Sequence, residues 1–175
     1  MVIRIIRGDI TKLDESIECI VNAANESLLG GGGVDGAIHR AAGPELVQEC
    51  ATLGGCKTGE AKATKAYRLK QKYIIHTPGP IYRRCLNAAE LLGNSYRNSL
   101  ALADSLGCRS IAFCSISTGI YGYPLKEAAE VCAKAVGAFK GKNLKEAYMC
   151  LLPNDWAAYE AYRRAFAKAF GGEEE

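Results

Sequence analysis

Along nearly the whole chain, short apolar runs of strand length alternate with longer segments whose apolar residues recur at helical spacing. A strand buries its faces and a helix only a stripe, so this alternation packs as helices laid on a central sheet, a layered α/β fold. Six runs read as strands: Val2 to Arg7, Ile17 to Val21, Ala61 to Tyr67, Tyr73 to Thr77, Ser110 to Ile116 and Glu146 to Leu152. Three helices are equally plain. Between Ala88 and Leu106, Leu92, Tyr96, Leu100 and Ala103 form one stripe, and Gly107 stands where a left-handed C-cap is wanted. Pro124 opens the second, whose inward residues are Leu125, Ala128, Cys132, Val136 and Phe139. The third runs from Trp156 to Phe170 after the capping candidates Asn154 and Asp155, is expected to turn Trp156, Tyr159, Tyr162, Phe166 and Phe170 inward, and ends at Gly171.

The length of 175 residues fits one domain, expected over residues 1–171 with an acidic tail at 172–175. An apolar share of 49% with 23% charged residues is ordinary for a globular chain, and a net charge of +3 is too small to imply nucleic-acid binding. A basic cluster at Lys62, Lys65, Arg68, Lys70 and Lys72 alternates with apolar residues as an edge strand does, and is read as one. No stretch is long enough to cross a membrane and the start, MVIRIIRGDI, lacks the pattern of a secretory leader, so a cytoplasmic monomer is expected. Most of the eight cysteines sit in apolar runs such as that ending in Cys114, which predicts reduced core thiols. The two histidines, His39 and His76, stand far apart and no CxxC pair occurs, so no metal site and no cofactor are expected.

Open α/β sheets bind ligands at the carboxyl ends of their strands, and glycine and small polar residues concentrate there. Asn22-Ala23-Ala24-Asn25 follows the second strand, His76 to Pro80 the fourth, and Ser115 to Pro124 the fifth. The strongest local signal is Gly30 to Gly33 followed by Val34-Asp35-Gly36 and a helix through Ala37, Ile38 and Ala41. Four consecutive glycines are costly to order and suit close approach of backbone to a ligand, while free N–H groups at the helix start suit a phosphate. Read locally, the run fits equally a flexible loop whose Asp35 caps the helix. It carries neither a Walker lysine nor a GxGxxG after a strand. A second glycine loop, Ser117-Thr118-Gly119-Ile120-Tyr121-Gly122, precedes the proline-opened helix, so the pair suggests a diphosphate gripped from two sides. Asp9 ends the first strand, where its carboxylate accepts from an exocyclic amine or caps a short helix at Thr11 to Asp14.

These residues resemble the MacroD-type macrodomains: Gly8-Asp9-Ile10-Thr11, the Asn22 to Asn25 run, GGGGVDGAIHRAAG at 30–43, Thr58 to Ala61, Ile75-His76-Thr77 with Gly79-Pro80, and SISTGIYGYP at 115–124. The resemblance spans roughly residues 3 to 152. It implies a three-layer α/β/α fold with a mixed, mostly parallel sheet. It also implies binding of ADP-ribose and hydrolysis of its esters, on modified acidic side chains of mono-ADP-ribosylated proteins or on O-acetyl-ADP-ribose. A reader of ADP-ribose without turnover is the alternative, since one fold serves both uses. Asp9 matches the acidic residue on the adenine amine, with the Ile10 backbone beside it, and Asn25 the asparagine on the distal ribose. Gly32, Gly33 and Val34 match the loop over that ribose and phosphate, and Asp35 the carboxylate that helps activate water. Ser117, Thr118, Gly119, Ile120 and Tyr121 match the second diphosphate loop. Three departures stand out: Pro78 replaces a Val or Ala, Cys114 a proline, and the aromatic that stacks on adenine has no match near Leu152 to Asp155 unless Trp156 substitutes. The implied mechanism is direct attack by water, oriented by the ligand's own diphosphate and assisted by Asp35, with His39 and His76 read as structural.

Overall fold

The computed structural model describes residues 1–171; the acidic tail at 172–175 lies outside them. All six expected strands form: β1 (Ile3–Arg7), β2 (Cys19–Ala24), β3 (Lys62–Lys65), β4 (Tyr73–Pro78), β5 (Ser110–Phe113) and β6 (Glu146–Leu151). They make one sheet in the order β1-β6-β5-β2-β4-β3, parallel throughout except for β3, which pairs antiparallel with β4. The helices are α1 (Gly33–Ala42), α2 (Glu45–Ala51), α3 (Ala88–Ser105), α4 (Leu125–Ala138) and α5 (Trp156–Phe170). Helices α3, α4 and α5 pack on one another, while α1 and α2 pack together against β2 and β3. The result is a layered α/β fold, as the alternation implies, in the three-layer α/β/α form that the resemblance implies.

The central strands carry the core because both faces are covered. β5 is buried at all four residues, and Ile20, Val21, Ile74, Ile75, Ile111 and Phe113 are fully enclosed. From the helices, Leu92, Tyr96, Leu100, Cys132, Val136 and Tyr162 meet them, with Tyr96 and Phe113 at 5.0 Å between ring centroids. All eight cysteines are free. Only part of the basic cluster lies on the edge strand: Lys62 and Lys65 are on β3, the last strand, where Lys62 Nζ donates to the Leu53 carbonyl at 2.8 Å, while Arg68, Lys70 and Lys72 fall in the turn before β4, where Lys72 pairs with Glu18.

The boundaries moved in four places. Strand β2 runs on through Asn22-Ala23-Ala24, which the sequence reading placed in the following loop, and Asn22 pairs in register with His76 of β4. Strand β3 stops at Lys65 because Tyr67 turns left-handed at φ 53, and β5 stops at Phe113 as the chain heads for Ser117, also left-handed at φ 66. Pro124 stands at the N-cap of α4 rather than inside it. Helix α2 was not expected at all: its 7 residues bury only Leu46 and Cys50, too few to show a period. Asp155 caps α5 by accepting from Ala158 N at 3.1 Å, and Gly171 closes it left-handed at φ 65.

Candidate functional site

A cleft of about 530 Å³ crosses the carboxyl ends of the central parallel strands. Ala23 and Ala24 from β2, Gly79 after β4, Cys114 and Ser115 after β5, and Cys150 and Leu151 from β6 with Leu152 after it form its floor. Its walls are the two glycine loops. The structure brings Asn25, Gly32, Gly33, Val34 and Asp35 to one wall, and Ser117, Thr118, Gly119, Ile120 and Tyr121 to the other. Asp9 and Ile10 are not among the lining residues. Asp9 stays beside the β6 end, after Gly8, whose amide bonds to the Leu151 carbonyl and whose carbonyl accepts from Cys150 Sγ.

Each wall is built to leave backbone amides unpaired. No side chain caps α1, so the N–H groups of its first turn stand open at the cleft. The loop before it is folded from within. Asn25 Nδ2 donates to the Gly30 carbonyl at 3.0 Å, and its Oδ1 accepts from the amide and hydroxyl of Ser27. Gly36 is required where α1 crosses this loop, since a Cβ there would sit 2.5 Å from the Gly31 carbonyl oxygen. On the other wall, Tyr123 N donates to Ser117 O and Gly122 N to Gly119 O, whereas the amides of Thr118, Gly119, Ile120 and Tyr121 have no acceptor among the described residues. Ser117 lies buried with its hydroxyl unbonded, and a side chain at Gly79 would collide with it and with Ile116. Tyr82 N donates to Tyr121 O at 2.9 Å and its ring rests 4.8 Å from that of Tyr123, so residues 81–85 back the loop from outside. Two sets of free amides, one at a helix start, form a receptacle for an anion with two charged groups.

Asp35 is the one buried carboxylate in this cleft, with 6% of its surface exposed. Its Oδ1 accepts from Asn22 Nδ2 at 2.8 Å and lies 3.4 Å from His39 Nε2, which is not aligned to bond. Its Oδ2 accepts nothing among the described residues and faces Gly31, where a Cβ would stand 3.1 Å from it and 3.4 Å from Asn25 Nδ2. Burial pushes the Asp35 carboxyl above the usual aspartate range, against the opposing pull of the Asn22 bond and the His39 ring. A carboxylate so raised, with one free oxygen, holds a proton more readily than an exposed aspartate does.

Asp9 is different. Its Oδ1 accepts from Thr11 N at 2.9 Å and Thr11 Oγ1 at 2.7 Å, capping the 3-10 turn Ile10–Lys12, and these bonds hold its carboxyl below the usual range. Trp156 stands just outside the cleft wall. It is not a lining residue, and the Arg7 guanidinium covers its ring at 4.1 Å from the centroid. Leu152, 56% exposed, and Asp155 present that end of the cleft instead.

Sequence reasoning missed the support beneath Asp35. His76 is fully buried on β4 beside Asn22, with Nδ1 at 3.1 Å from Asn22 Nδ2 and Nε2 at 2.9 Å from Thr64 Oγ1 of β3. The signal available was a polar pair, Asn22 and His76, in otherwise apolar runs. Its meaning depends on a register that only the sheet supplies.

The Macro domain family model matches residues 21–132, a stretch that includes both loops, Asp35 and His76. The chain belongs to the Macro domain family. Among relatives of this Macro domain, a macro domain-containing protein of Chlorobaculum tepidum is 58% identical over 137 residues, 78% of each chain. The ADP-ribose glycohydrolase MACROD2 of Xenopus laevis is 49% identical over 97% of this chain, which spans 41% of that longer protein. A solved mutant macrodomain of Oceanobacillus iheyensis with ADPR superposes at a TM-score of 0.86 with 41% identity, covering 96% of this chain and 93% of that one. A Trypanosoma brucei macrodomain in complex with ADP-ribose superposes at 0.77 with 44% identity, over 89% and 65%. No helix among the described residues is long and apolar enough to cross a membrane.

Proposed function

We propose that this Macro domain binds ADP-ribose in the cleft and hydrolyses its esters, releasing ADP-ribose from modified Glu or Asp side chains and cleaving O-acetyl-ADP-ribose. The observation that carries the reading is Asp35: a buried carboxylate with one oxygen fixed and the other free toward the space between two amide-lined loops. The diphosphate lies between those loops, met by the amides of Gly32 to Val34 on one side and Ser117 to Tyr121 on the other. Asn25 meets the distal ribose beside Asp35, and Asp9 with the Ile10 backbone meets the adenine where the β6 end of the cleft opens. Water attacks the ester carbon on the sugar. One of its protons passes to Asp35 Oδ2, and the carboxylate departs with the bonding electrons. A phosphate oxygen of the ligand helps orient the water. The name of the Xenopus relative and the ADP-ribose complexes of the structural neighbours support this substrate class.

The leaving group sets the specificity. A carboxylate departs without a proton because its conjugate acid has a pKa near ~4, whereas a serine alkoxide needs one delivered. The only carboxyl groups among the lining residues are Asp35 and the exposed Asp155, which already caps α5. Side-by-side digestion of ester-linked and serine-linked ADP-ribosyl peptides is expected to release ADP-ribose from the first and leave the second intact. Equal rates on both would overturn the leaving-group argument. Binding of ADP-ribose with release from neither, acetyl-ADP-ribose included, would identify a reader.

A further inference from the structure

The interior beneath Asp35 holds more polar chemistry than the fold requires. Asn22, His76 and Thr64 are at most 2% exposed, yet they sit on three neighbouring strands among buried residues that are mostly apolar. Burying such groups opposes folding, and here the cost is not fully recovered, because Asn22 Oδ1 finds no partner. An aliphatic pair at Asn22 and His76 would pack the same space with less cost, so the arrangement calls for a role beyond packing.

The bonds have a definite direction. Asn22 Nδ2 has two hydrogens and donates one to Asp35 Oδ1 at 2.8 Å and the other to His76 Nδ1 at 3.1 Å. His76 Nδ1 is therefore the acceptor, its proton sits on Nε2, and Nε2–H donates to Thr64 Oγ1 at 2.9 Å. Three strands thus clamp the Asn22 amide in the one orientation that offers N–H to Asp35. A reversed amide would set its carbonyl against the carboxylate.

We infer that Asn22, His76 and Thr64 are positioning residues for Asp35: the chain from Thr64 through His76 to Asn22 fixes Asp35 Oδ1 and leaves Oδ2 the only oxygen free to take a proton in the cleft. This rests on the reading of Asp35 as the base. The other titratable groups facing this cluster are His39 on α1, Cys50 of α2 with its sulfur 3.8 Å from His76 Nε2, and Cys114 after β5. Burial drives both thiols upward, Cys50 to about 11 and Cys114 to about 12, so neither adds charge near neutral pH.

The test compares wild type with Asn22→Leu, which keeps the volume and removes the donor, and Thr64→Val, which keeps the shape and removes the anchor. Two quantities are read: kcat for ester-linked ADP-ribose against pH, and the ionisation of Asp35 followed by carbon NMR of its carboxyl. Asn22→Leu is expected to lower kcat at least about tenfold with ADP-ribose affinity held within about threefold. It should also shift both the acid limb and the NMR midpoint upward by about half a unit or more, since the lost bond favours the ionised form. Thr64→Val should move each quantity the same way by less, about threefold in kcat. A folded Asn22→Leu with wild-type kcat and midpoint overturns the inference. If that variant does not fold, an unchanged Thr64→Val does so. The NMR midpoint separates the two readings: a shift without turnover in any protein leaves the clamp standing and removes the hydrolase, while loss of turnover in Asp35→Asn alone leaves the hydrolase and removes the clamp.

Discussion

Two aspartates attend this cleft, and the sheet treats them in opposite ways. Asp9 follows the edge strand β1, spends Oδ1 on the Thr11 amide and hydroxyl, and is held in its ionised form. Asp35 opens toward the floor formed by β2 and β4, is almost fully enclosed, and is held closer to its protonated form by burial. A carboxylate kept ionised near solvent is a steady hydrogen-bond acceptor and a poor proton carrier. One with a raised affinity for protons can accept one and release it. In the proposed reading this contrast separates recognition at one end of the cleft from chemistry at the other, with Asp9 just after β1 and Asp35 in the first turn of α1.

The sharpest way to break this contrast is Asp35→Asn, which keeps shape and can still accept from Asn22. Turnover of ester-linked ADP-ribose should fall about hundredfold or more, with ADP-ribose affinity within about tenfold, as calorimetry and single-turnover kinetics would read. Thermal stability should hold or rise, because a buried carboxylate that resists ionisation has been neutralised. An Asp35→Asn protein with wild-type turnover would make the two aspartates equivalent after all.

Acid should loosen the Asp35 end from within. Burial depresses His76 from 6.5 to about 3, so the folded protein binds this proton far less well than the unfolded chain. The stability tied to neutral His76 is therefore complete above 6.5 and is lost as pH falls through that window toward about 3. At pH 5 the loss amounts to about 2 kcal/mol, from 1.36 kcal/mol per unit. Asp35 works in the opposite sense over part of this range, since its raised carboxyl binds a proton more readily folded than unfolded. The His76 contribution is isolated by comparing denaturant midpoints of wild type and His76→Gln: the variant should lose less stability between neutral pH and pH 5. Parallel pH profiles for the two proteins would show that the buried ring carries no such linkage.

Asp9→Ala should produce the smallest effect and the opposite signature. Its Oδ1 is committed to the Thr11 cap, so what remains for a ligand is one oxygen near solvent, and ADP-ribose affinity should weaken about tenfold with kcat unchanged. Equal affinity of variant and wild type would leave Asp9 a helix cap alone, and a fall in kcat would blur the division between the two ends.

Much of this was readable before any coordinates. Strands and long helices declare themselves through periods of two and of 3.6, and the glycine loops announce free amides because few other roles suit Gly30 to Gly33. Asp9 was legible to the level of two alternatives, and the capping one is visible in the structure. Helix α2 was too short to carry a period, and Trp156 could not be placed because its neighbour Arg7 is 149 positions away in the chain, across the β1 and β6 pairing. The Asn22, His76 and Thr64 chain was the least accessible. It arises where three strands align in register, and Asn22 looked like loop chemistry as long as β2 was thought to end at Val21.

Trp156 has an optical consequence. It is the single tryptophan of the chain, 61% exposed, with a guanidinium on its ring and the cleft-lining Asp155 as its neighbour. All indole emission thus originates one residue from the β6 end of the cleft, from a ring that is open to solvent and covered on one face by a cation. The protein carries its single indole at the end where Asp9 stands and none at the end where Asp35 does, so a change in indole emission would report on that half of the cleft without a label.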